Sequence, residues 1–116
     1  MTAQQKILSA PVLPDASNGV LYVHNLKDPV KGLVNQYENA AANDKIEFVV
    51  TTSTGNNWVG SFILGSGAVF PIVFAIPKAT FEKDLVLPAS ATLHYTIINA
   101  SGNQVVSPVL TVRLEL

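Results

Sequence analysis

Cysteine is absent from the 116 residues, so the chain holds no disulfide, no thiolate metal site and no cysteine nucleophile. Charge is scarce as well. Asp, Glu, Lys and Arg make up 13%, about half of the roughly 25% usual in globular domains. Neither sign predominates, with seven Lys plus Arg against eight Asp plus Glu and a formal net charge of -1. A nucleic-acid binder needs a basic field to neutralise phosphates, and a polybasic membrane-surface protein needs a cationic cluster. Neither class fits. No apolar run approaches the roughly 18 residues of a membrane span. Met1 to Pro11 lacks the apolar core of a secretory signal. A soluble chain without a cleaved leader is therefore expected. Helical periodicity is also nearly missing.

What is present points to β-structure. Hydrophobic residues reach 48%, enough for one domain with a real core, since a chain of this size hides roughly two-thirds of its unfolded surface. Valine is the commonest residue, and Val, Ile, Thr and aromatics fill the apolar runs. Period-two alternation is clear in three places. Ile46, Phe48 and Val50 share a face, as do Leu93, Tyr95 and Ile97, and Leu110, Val112, Leu114 and Leu116 alternate with Thr111, Arg113 and Glu115. Such strands belong to antiparallel sheets with one wet side. Turn signals such as Ser17-Asn18-Gly19, Thr54-Gly55-Asn56-Asn57 and Ser101-Gly102-Asn103 separate the runs.

About seven strands result: Val20–Leu26, Leu33–Tyr37, Lys45–Thr52, Trp58–Leu64, Val69–Ile76, Ala91–Asn99 and Val105–Leu116. Pro71 predicts an edge or a bulge in the fifth, and Pro108 a break near the start of the last. Residues 77–85 predict one helical turn, with Pro77 at its first position and Phe81 plugging the core. Residues 1–10 read as a flexible tail ahead of a single domain over residues 11–116. The expected fold is an all-β, immunoglobulin-like antiparallel β-sandwich with that helical turn.

Several motifs in this order carry a resemblance. They are Ala10-Pro11, the Gly19 turn, Tyr37, Asn43-Asp44-Lys45-Ile46, Phe74-Ala75-Ile76-Pro77, Leu93-His94-Tyr95-Thr96-Ile97, the Gly102 turn and Ser107-Pro108-Val109-Leu110. Over residues 8–116 the chain resembles the bacterial immunoglobulin-like repeats found in large surface and secreted proteins of Gram-negative bacteria. The resemblance implies an extracellular or cell-surface setting and an adhesive or structural role. It also implies that Tyr95 stands where immunoglobulin domains carry their corner tyrosine, its hydroxyl tying the strand to the preceding loop. Ile97 then takes the place of the second cysteine, and Phe48 that of the central tryptophan.

Chemistry-bearing residues are few. His24 and His94 are the only histidines, no Gly-x-Ser-x-Gly elbow accompanies them, and both read as strand residues. No enzyme and no cofactor are expected. Gly55 to Ser61 mimics the glycine spacing of a phosphate loop but lacks its lysine and a following helix. Asp28, Asp44, Glu82 and Asp84 form no calcium-loop pattern. Asn99-Ala100-Ser101 is an N-glycosylation sequon that reads as a turn.

Asn56, Asn57 and Trp58 are the candidate ligand residues, because amides beside an aromatic platform suit a sugar. Trp58 also has the phase of Phe62 and Leu64, which suits the margin of a core. Val49, Val59 and Ile63 would form an apolar patch on one sheet face. The expected role is a non-enzymatic binding or structural module that meets a protein partner, or itself, through a sheet face. The alternative is a small carbohydrate-binding or host-directed, toxin-like protein using the Asn56–Trp58 loop.

Overall fold

A computed structural model describes residues 8–37, 40–67 and 69–116. Most of the tail expected over residues 1–10 lies outside them. The elements are β1 (Val20–Tyr22), β2 (Val30–Val34), β3 (Lys45–Thr52), β4 (Asn57–Ile63), β5 (Ile72–Ile76), α1 (Ala79–Glu82), β6 (Ala89–Ile98), β7 (Gln104–Val106) and β8 (Leu110–Glu115). A 3-10 turn, Val23–Asn25, follows β1. One sheet runs β1-β8-β6-β3-β4 with β7 also on β6, and the second pairs β2 with β5. The order β8-β6-β3-β4 is the G-F-C-C′ order of a variable-type immunoglobulin sheet, packed over a smaller second sheet. The fold is an all-β, immunoglobulin-like sandwich.

The core forms where the alternation places it. Phe48, Tyr95 and Val112 are all buried. Phe48 of β3 stacks on Phe74 of β5 across the two sheets, ring centroids 5.0 Å apart. Gly32 of β2 permits that approach, because a Cβ there would lie 2.8 Å from Phe48 Cζ. Phe81 of α1 is fully buried, as its spacing predicts.

Several expectations need correction. The last run is broken near its start, as Pro108 predicts, into β7 and β8, which brings the strands among the described residues to eight against about seven expected. Ser107 and Pro108 interrupt it, and the Ser107 hydroxyl accepts the Tyr95 N–H (2.9 Å) while donating to the Pro108 carbonyl (3.0 Å). β2 begins three residues earlier than alternation alone suggests, because Val30 and Val34 both face the core. His24 sits on the 3-10 turn rather than in a strand. The Tyr95 hydroxyl donates to the Ser9 carbonyl at 2.6 Å. It thus ties β6 to the N-terminal segment rather than to the preceding loop.

Candidate binding site

The Asn56–Trp58 loop closes the β3–β4 hairpin. Thr52 is buried beneath it, and its hydroxyl accepts the Asn56 N–H at 2.9 Å. The Thr52 N–H donates to the Asn56 carbonyl at 2.9 Å. The Asn56 side-chain amide then reaches α1, donating to the carbonyls of Thr80 (3.1 Å) and Lys83 (2.7 Å). The end of a helix leaves such carbonyls without intrahelical partners, so Asn56 works as a clamp between hairpin and helix. Asn57 is exposed and pairs with Thr51.

Trp58 is half-buried and lies edge-on to Phe48, with centroids 6.5 Å apart. Its ring covers Gly60, where a Cβ would collide with it. A shallow, open depression of about 400 Å³ is bordered by Gly55, Asn56, Asn57, Ala79, Thr80 and Lys83. The two asparagines therefore meet at one hollow, while the tryptophan packs against the core margin instead of lining it.

The other chemistry-bearing residues are dispersed. His24 is exposed, and His94 is half-buried on the outer face of β6 opposite Val49. Among the described residues no group of three or more His, Asp or Glu could hold a metal ion. The Asp28 carboxylate accepts the Lys78 N–H at 3.0 Å, and Glu82 lies 3.8 Å from the Lys78 ammonium. Asp84 takes a left-handed backbone, φ 56°, just past α1. The side chain of Asn99 accepts the N–H groups of Ser101 and Asn103, so the sequon asparagine builds its own turn.

Asp44 is the one buried carboxylate among the described residues. It accepts from the Tyr37 hydroxyl (2.8 Å) and the Ala41 N–H (3.1 Å). Burial raises the Tyr37 phenol above its ordinary value, and the bond to Asp44 and its charge raise it further. Burial also raises Tyr95. Neither phenol is thus suited to proton transfer near neutral pH.

The feature that motif-reading misses is a backbone edge. Among the described residues β4 pairs only with β3, in the register Phe48↔Gly60. Thr52 N–H bonds the Asn56 carbonyl, and Leu64 N–H bonds the Asp44 carbonyl. In an antiparallel ladder bonding alternates, so Trp58, Gly60 and Phe62 turn their main-chain groups toward β3. Asn57, Val59, Ser61 and Ile63 turn theirs outward. Val59 and Ile63 are 59% and 62% exposed beside this edge, and Phe62, though on the inner face, is 42% exposed. Val49, the third residue of the expected patch, is half-buried. The strand carries neither charge nor proline, the usual devices that blunt an edge.

No family model, curated protein or solved structure matches the chain. The likeness to bacterial immunoglobulin-like repeats rests on the residues quoted above alone. No helix among the described residues is long and apolar enough to cross a membrane.

Proposed function

We propose that the chain is a non-enzymatic binding module, a rigid sandwich that takes up an extended protein segment along the β4 edge. The observation that carries this reading is the row of four outward-facing residues, Asn57, Val59, Ser61 and Ile63, on a seven-residue strand with no charge and no proline. Strand addition to such an edge draws affinity from main-chain hydrogen bonds and specificity from alternate side chains. Two of the polar groups a sugar or a metal would use are engaged within the fold: Asn56 on α1, and Asp44 on Tyr37 and Ala41. The resemblance to bacterial repeats adds the setting, an adhesive or structural part of a surface or secreted system.

The test is a display library of extended peptides panned against the immobilised chain, with a glycan array in parallel. Peptides are expected to bind, and Ser61→Pro is expected to weaken them roughly tenfold or more, since it removes one outward donor and places a ring on the edge. Trp58→Ala should leave the glycan array blank, as for the parent. Glycan binding lost on Trp58→Ala, or no peptide ligand at all, overturns the proposal in favour of the carbohydrate-binding alternative or another surface.

A further inference from the structure

We infer that the strand docking on β4 is β4 of a second copy, paired antiparallel about a two-fold axis that sets the two Gly60 residues opposite each other. This rests on the reading of β4 as an edge that takes up a strand, and adds the identity of its occupant. The first argument is register. The outward groups belong to residues 57, 59, 61 and 63. A two-fold at Gly60 sets Asn57 opposite Ile63 of the other copy, and Val59 opposite Ser61. All four are then hydrogen-bonded pairs, each exchanging two bonds, so every outward N–H and C=O on both strands finds a partner. A shift of two residues either way leaves the outward groups of one end unmatched.

The side chains follow the same symmetry. On the inner face Trp58 comes opposite Phe62 of the second copy, a cross-strand aromatic pair of the kind that stabilises sheets. Phe62 is 42% exposed in the single chain and gains cover. The axis passes between the two copies of Gly60, the one position of β4 without a side chain and the one the Trp58 ring already overlies. On the outer face the two Val59 side chains become diagonal neighbours. No charge lies on the strand, and Lys45 and Glu47 on the neighbouring β3 sit 3.8 Å from each other. Such an isologous contact closes at two copies.

Sedimentation equilibrium of the full chain, over a concentration series reaching the millimolar range, tests this together with amide hydrogen exchange. A monomer–dimer equilibrium with no larger species is expected. Exchange at Val59, Ser61 and Ile63 should slow as concentration rises, while Trp58, Gly60 and Phe62, already bonded to β3, stay unchanged. Ser61→Pro removes two of the eight shared bonds and should raise the dimer dissociation constant about tenfold to a hundredfold. Val59→Lys, which keeps every backbone group and puts a lysine on the edge, should also weaken the dimer. A monomer at every concentration overturns the inference while leaving peptide docking on β4 intact. A dimer indifferent to both substitutions, or open-ended polymers, overturns the two-fold β4 pairing as well.

Discussion

Two edges of the sandwich, β4 from the larger sheet and β5 from the smaller, lie side by side and are finished differently. Side-chain hydrophobicity does not separate them: Val73 of β5 is 55% exposed and Val59 of β4 59%. The backbone does. Leu33 of β2 bonds back to Val12, so its even-numbered neighbours face β5, and β5 turns Val73 and Ala75 outward. Pro71 and Pro77 stand immediately before and after the strand, at the same alternate positions. That row therefore loses its donors at both ends. The β4 row keeps all four. The two edges differ in the supply of outward donors, and hardly in the oiliness of their side chains.

The comparison depends on both edges being held by one core, and its harshest test removes that. Phe48 touches Phe74 of β5 and Trp58 of β4. Phe48→Ala should cost about 3–5 kcal/mol of stability in denaturant unfolding. Retention of parental stability would show that the edges are framed independently. Next comes a matched pair of prolines. Ser61→Pro weakens association as stated above, whereas Ala75→Pro, at an outward position of β5, should leave the sedimentation profile unchanged. Equal effects would erase the distinction between the edges.

The Asn56 clamp gives a smaller effect. Asn56→Ala removes two hydrogen bonds to α1 and should cost about 1–2 kcal/mol. Amide exchange should speed up at the start of β4 and not in β5. The smallest effect is alkaline. Tyr37 clasps Asp44 at the far end of the same hairpin, where Leu64 N–H meets the Asp44 carbonyl. Its raised phenol means that stability is fully present below about pH 10, the ordinary tyrosine value. Above it the unfolded chain releases the proton first, so stability falls as pH rises. Tyr37→Phe should flatten that part of the fall in a pH series of unfolding midpoints, and β4 amides should lose protection before those of β5.

Local patterns told most of the fold. The alternation over Lys45–Thr52 marks β3 with its observed bounds, Pro71 marks an edge strand although β5 begins only after it, Pro108 marks the break ahead of β8, and Phe81 is the expected plug. These signals act within one or two turns of chain. Partners remote in sequence leave no such trace. Asn56 bonds carbonyls 24 and 27 residues away, and Tyr95 reaches back 86 residues to Ser9. An amide beside a tryptophan looks the same in sequence whether it greets a ligand or caps a helix. The β4 edge was half legible: seven residues without charge or proline are plain to read. That no described strand lies beyond them depends on sheet order, which periodicity does not encode.

The one parallel pairing among the described residues, β1 on β8, aligns Val20 with Arg113 and Tyr22 with Glu115. β1 is near the start of the chain and β8 ends it, and both strands point the same way. A pull applied at the two termini would first part the lighter ties of Ser9 and Val12, then draw these neighbours past each other lengthwise. Their bonds would be loaded together in shear instead of being unzipped singly, so the sandwich would resist stretching along the line of these two strands.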